Sequence, residues 1–261
     1  MTDVLDGLGV QSGDCVAVAG AGGKTTLCWR MVQALVSRGE RAVFTTATKI
    51  WQPAAGAFDI TLITPHPSPL PLSTSSGQAG EGSWKSACIA AAIEGAANNT
   101  PVPHAGMPTV QTKLIGYSPD EICALHSTFP IPRATFIVEA DGARGLRLKA
   151  PGDNEPLIPP CADVVCVVAS LDAIGRPLDD RTVHRAERVS RITRAMPGSM
   201  ITPTMIVEVL CHAEGGMKGM PATARRVAVL TQHSAGAQHP DAARMLAELR
   251  ERGYHHALVV S

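Results

Sequence analysis

The run Gly20-Ala21-Gly22-Gly23-Lys24-Thr25-Thr26 constrains this chain more than any other stretch. It stands between Asp14–Ala19, a short apolar run that reads as a buried strand, and Lys24–Arg38, which reads as a helix. In that helix Leu27, Met31, Ala34 and Leu35 recur at helical spacing, and Gly39 closes it. Glycines at a strand-to-helix turn let successive backbone N–H groups point inward around phosphate oxygens, and the helix N-terminus adds its positive end. A following lysine supplies an ammonium for the β- and γ-phosphates, and the next hydroxyl supplies a ligand for Mg²⁺. Lys24 and Thr25 occupy those two positions, with Gly20, Ala21, Gly22, Gly23 and Thr26 completing the nucleotide-binding set. The loop departs from GxxxxGK[ST] because Val18 holds the first glycine position, which leaves a shorter GxxGK[ST] spacing.

The segments around the loop predict the layers. Arg41–Thr46 and Asp59–Ile63 read as strands, and strand, helix and strand within a short span is the grammar of a parallel sheet. Further apolar strands are predicted at Ala134–Glu139, Asp163–Ala169, Arg225–Thr231 and His255–Val260. Ser118-Pro119-Asp120-Glu121 has the spacing of a capping box with proline at the first helical position. Thr202-Pro203 opens another helix to about Cys211, and Pro240–Arg252 forms one closed by Gly253. The expected fold is a three-layer α/β/α sandwich with a mostly parallel sheet, P-loop NTPase-like, in one domain over residues 1–261. Its exception is a Pro/Ser/Gly-rich surface excursion at about 65–108, with a helix expected over Ser83–Ala97.

Two more stretches carry residues suited to phosphate chemistry. Phe136-Ile137-Val138-Glu139-Ala140-Asp141-Gly142 sets two carboxylates just past a buried strand, where an acid that holds Mg²⁺ belongs. Either Glu139 or Asp141 fills that role, with Lys24 and both carboxylates as the catalytic candidates. Thr45-Thr46-Ala47-Thr48-Lys49 ends a strand beside the first, at the sheet edge where open α/β folds bind ligands. Thr46, Thr48 and Lys49 are therefore candidates for the nucleotide or its metal. Arg144, Arg147 and Lys149 follow the acidic turn and suit an anionic second substrate, on the expectation that Mg²⁺ leaves them unpaired.

Composition removes several alternatives. Lys plus Arg number 23 and Asp plus Glu number 23, so no basic surplus points to nucleic acid or to a polybasic membrane anchor. No stretch approaches the ~20 apolar residues of a membrane helix, and no signal peptide is evident, so a cytoplasmic protein is expected. The seven cysteines form no CxxC pair and imply neither a disulfide framework nor a zinc ribbon. They are expected to be small core residues of a reduced protein.

The stretch from Glu139 to Pro160, Glu-Ala-Asp-Gly-Ala-Arg-Gly-Leu-Arg-Leu-Lys-Ala-Pro-Gly-Asp-Asn-Glu-Pro-Leu-Ile-Pro-Pro, resembles the YqeC family. That family is described as selenium cofactor biosynthesis or selenium-dependent molybdenum hydroxylase accessory proteins. Gly20–Thr26, Thr45–Ile50, Leu171–Leu178 with Val183-His184-Arg185, and His212–Gly219 agree with it too. The loop itself is similar to that of Mur-type ligases, and Glu139–Gly142 is similar to the ExxG of nickel and cobalamin GTPase chaperones. The resemblance implies Mg²⁺ and an NTP as cofactors, and NTP hydrolysis or phosphoryl transfer in the maturation of selenium-dependent molybdenum hydroxylases. It adds His184 and Arg185 to the second-substrate candidates, and such a hydroxylase to the expected partners. The alternative it leaves open is a nucleotide-switched chaperone that docks on the hydroxylase without small-molecule chemistry. Thr231-Gln232-His233-Ser234 resembles the guanine-reading N/TKxD with serine in place of the aspartate, which favours ATP while GTP stays open.

Overall fold

A computed structural model describes residues 4–51, 60–63, 86–90, 92–93, 113–129, 133–233 and 239–261. Its first half runs α1 (Val4–Leu8), β1 (Cys15–Gly20), α2 (Lys24–Ser37), β2 (Ala42–Thr46), β3 (Lys49–Trp51), β4 (Ile60–Ile63), β5 (Ser86–Ala90), β6 (Ala92–Ile93), β7 (Lys113–Ile115) and α3 (Pro119–Thr128). The second half runs β8 (Thr135–Glu139), β9 (Leu148–Lys149), β10 (Val164–Ser170), β11 (Val183–His184), α4 (Ala186–Thr193), α5 (Pro203–Cys211), β12 (Arg225–Thr231), α6 (Ala242–Glu251) and β13 (His256–Val260).

Eight strands form one sheet in the order β13-β12-β10-β1-β8-β2-β5-β4. Every neighbouring pair in it is parallel. A parallel sheet needs both faces covered, so its central strands read as continuous apolar runs. β8 and β10 are accordingly buried at every residue. Alternation then sorts the side chains. Val16, Val18, Cys166, Val168 and Val227 pack against Leu27, Met31 and Leu35 of α2 and Leu5 and Leu8 of α1. Ala17, Ala19, Val165, Val167 and Ala228 face the other way, against Met205, Ile206, Val209 and Leu210 of α5 and Met245 and Leu249 of α6. On the same face Ile122 and Leu125 of α3 close over Val43, Phe136 and Val138. The result is the expected three-layer α/β/α sandwich.

Local chemistry sets the helix starts. Ser118 accepts from Glu121 N while the Glu121 carboxylate takes the Ser118 N–H, the reciprocal box that the spacing predicts. Thr202 caps α5 through Met205 N, with Pro203 at the first turn. Among the described residues no helix is long and apolar enough to cross a membrane.

Three expectations need correction. The helix over Ser83–Ala97 is replaced, where described, by β5 and β6. Its alanines favour a helix in isolation, but pairing of β5 with both β2 and β4 completes the sheet and overrides propensity. The excursion at 65–108 therefore contains sheet strands, and its remaining residues lie outside those described. Cys123 on α3 and Cys161 form a disulfide with Cα atoms 5.6 Å apart, which no sequence spacing announces. The other five cysteines do behave as core residues, four of them buried and Cys211 half-buried.

Candidate functional site

The carboxyl ends of β1, β8, β10 and β2 lie side by side, and the glycine loop leaves β1 between two of them. Tight passage explains its glycines. A Cβ on Gly20 would lie 2.2 Å from the Val168 carbonyl oxygen, and one on Gly22 would lie 2.6 Å from Ser170 Cβ. Both have positive φ, as does Gly23, the N-cap of α2, which offers the helix no side-chain cap. The first-turn N–H groups of α2 thus rely on a partner other than a capping side chain. Ala21 N–H bonds the Val168 carbonyl at 2.8 Å, and the Thr231 hydroxyl donates to the Gly22 carbonyl, pinning the loop to β10 and β12.

Lys24 does not project into solvent. It is 5% exposed, and its Nζ donates to the Gly20 carbonyl at 2.8 Å and lies 3.3 Å from Asp141 Oδ1. Thr25 Oγ1 donates to Glu139 Oε2 at 2.9 Å, joining the helix start to the tip of β8. Burial pushes the Glu139 carboxyl above its ordinary pKa, against the pull of Lys24 and the Thr25 hydrogen bond. From β2, Thr46 Oγ1 donates to the Glu139 carbonyl at 2.9 Å and lies 3.2 Å from Thr48 Oγ1. Thr48 therefore borders the acidic strand end, whereas Lys49 leads into β3 and is exposed. Thr26 is exposed on the first turn of α2.

The cations after the acidic turn divide. Arg144 is exposed, at a φ of 51°. The Arg147 main chain is stitched beside the loop, its N–H to Thr182 O at 3.0 Å and its carbonyl from Ser170 N–H at 2.9 Å. Lys149 departs from expectation. Its side chain is fully buried, with Nζ 2.8 Å from Asp141 Oδ2, 2.6 Å from Glu155 Oε2 and 2.6 Å from the Gly142 carbonyl. It pairs with the carboxylates because β9 carries it beneath the acidic turn. Arg185 is engaged too, gripping Glu155 with two nitrogens at 2.8 and 3.0 Å. Opposing the cost of its own burial, these Arg185 and Lys149 contacts hold the Glu155 carboxyl down at about 2. His184 pairs with Lys149 in the β9–β11 register; burial, then Arg185 and Lys149, lower its pKa.

Glu155 is the residue that sequence reading undervalues, since a carboxylate in a Pro/Gly-rich run looks like a turn former. Ser170, Asp172 and His233 are others. The His233 N–H bonds Asp172 Oδ2 at 2.9 Å, and its ring lies 3.2 Å from where a Gly23 Cβ would stand. Asp172 and His233 fall in stretches singled out by the family resemblance, and Ser170 is signalled by its position at the end of β10. Ser234, expected from the sequence to bear on base choice, lies outside the described residues.

The family model described as "YqeC protein" matches residues 16–187, more than half of the chain. The chain is also similar to "Uncharacterized protein YqeC" of Escherichia coli (strain K12). The two are 30% identical over 233 residues, which cover 88% of this chain and 80% of that protein. No solved structure matches. Glycine loop, acidic strand end and Leu171–Arg185 segment all fall inside the matched region, and this chain belongs to the YqeC family.

Proposed function

We propose that this protein binds a Mg²⁺–nucleotide on the Gly20–Thr26 loop and hydrolyses it or transfers its terminal phosphoryl group. The observation that carries the reading is the junction of Lys24, Thr25 and Glu139 at an uncapped helix N-terminus, behind glycines that admit no side chain. Anions suit such a terminus, and Lys24 and the loop N–H groups would hold the phosphates. A shallow hollow lined by Gly23, Thr26, Leu27, Thr231 and His233 adjoins the loop.

The residues also fit the metal. Among the described residues no group of three His, Cys, Asp or Glu could hold an ion by itself. Mg²⁺ bound with a nucleotide needs no such cage, because water and phosphate oxygens fill most of its positions. Thr25 and Glu139 would hold it, with Asp141 two residues further along the same turn. When bound, Mg²⁺ supplies charge neutralisation at the phosphates. The chain's own part is to position: Thr25 orients Glu139, Thr46 fixes the Glu139 main chain, and Lys24 meets negative charge on the phosphates.

ATP is the favoured nucleotide, because Ser234 lacks the carboxylate that guanine readers use. An anionic small molecule against Arg144 and Arg147 is the proposed second substrate. The wider role, serving selenium cofactor assembly in molybdenum hydroxylases, rests on the family resemblance alone. Phosphate release from Mg·ATP tests the reading: wild type should turn over, and Glu139→Gln should lose turnover more than binding. Turnover that survives this change would remove Glu139 from the site. Stimulation by a hydroxylase alone, and by no small anion, would favour a nucleotide-switched chaperone.

A further inference from the structure

Glu139 and Asp141 stand two residues apart yet face different partners. Glu139 takes the Thr25 hydroxyl, whereas Asp141 takes a backbone N–H and two lysines. Asp141 is 1% exposed, and its Oδ2 accepts from the Gly20 N–H at 3.1 Å and pairs with Lys149 at 2.8 Å. Among the described residues its Oδ1 has no hydrogen-bond partner, and it lies 3.3 Å from Lys24 Nζ. Lys149 is shared in turn with Glu155, and Glu155 with Arg185 at the start of α4. Alternating charges thus run Arg185–Glu155–Lys149–Asp141–Lys24, from α4 to the phosphate loop.

We propose that Asp141 is an internal competitor for Lys24: the carboxylate that a nucleotide phosphate must displace from the lysine, held in position by Lys149 and Glu155. This rests on the nucleotide reading above and deepens it. An ammonium has three donors and one charge. In this structure Lys24 spends one donor on the Gly20 carbonyl and its charge on Asp141. A phosphate that Lys24 contacts takes over that charge and leaves Asp141 with Lys149 and the Gly20 N–H. Measured affinity is then the difference between two ion pairs at Lys24, of which the one with Asp141 is buried. Asp141 sets that difference without touching the nucleotide, so it is a positioning residue. Its assignment also leaves Glu139 as the carboxylate available to Mg²⁺.

The test is calorimetric titration with ATP in EDTA, which reads the lysine–phosphate contact without any metal. Wild type, Asp141→Asn, Lys24→Met and the double variant form a cycle, with folding checked by thermal melting. Asp141→Asn should bind about tenfold more tightly than wild type, the scale of one charged hydrogen bond. In the Lys24→Met background the same change should have little effect. Weaker or unchanged binding by Asp141→Asn would overturn the proposal. Tightening that persists without Lys24 would also overturn it, since a general gain of positive field explains that. If wild-type binding does not depend on Lys24, the nucleotide reading itself fails. Should Asp141→Asn not fold, Glu155→Gln replaces it. Freed from Glu155, Lys149 neutralises Asp141 more fully, so a smaller tightening is expected, and none would count against the competitor.

Discussion

At the residue scale, buried charge decides most of what this site can do. Burial raises the Glu139 carboxyl above its ordinary value, so in the folded chain its ionised form carries a cost once pH exceeds that of an unfolded carboxylate. Glu139→Gln removes that cost, so this variant should melt at or above the wild-type temperature at neutral pH. A lower melting temperature would mean that the Thr25 and Lys24 contacts outweigh the burial. Glu155 runs the other way. Its folded value of about 2 lies below the ordinary 4.5, so its pairing stabilises the fold above 4.5 and that contribution fades as pH falls toward 2. Melting curves of wild type and Glu155→Gln should therefore be furthest apart near neutrality and converge in acid. Parallel curves would show that Arg185 and Lys149 do not depend on the charge. Such pairings were not legible in the sequence. Lys149 and Glu155 are six residues apart and meet only because β9 and the Pro-rich run after it fold under the acidic turn.

Elements were legible where local chemistry and burial agree. Lys24–Ser37, Thr135–Glu139, Val164–Ser170 and Arg225–Thr231 all lie within a residue or two of their apolar patterns, and both proline-opened helices begin at their caps. The glycine loop was legible for the same reason, since its glycines answer to steric contacts with β10. Short elements defeat sequence reading: β3, β6 and β7 pair only with one another, and β9 and β11 have two residues each. A pattern that short has no period to detect. The Cys123–Cys161 bridge was equally hidden, being a product of α3 packing against the turn before β10. Its test is a thiol titration of the denatured, unreduced chain, which should give five thiols; seven would show the bridge does not form.

For the whole molecule, the sheet order explains why scattered motifs become one place. β10, β1, β8 and β2 are adjacent although the chain visits them in the order β1, β2, β8, β10, so the glycine loop, Thr46, Glu139 and Ser170 all emerge at one edge. Parallel pairing puts every one of those strand ends at the same side, the edge where open α/β sheets take ligands. The central claim is that this edge holds a nucleotide through the loop lysine. Calorimetric titration of Mg·ATP into wild type and Lys24→Ala tests it most directly. Saturable binding by wild type and a tenfold or larger loss in the variant are expected, since a charged hydrogen bond contributes roughly 1.5–3 kcal/mol. Equal affinities, or no binding of any Mg²⁺–nucleotide by wild type, would contradict the account.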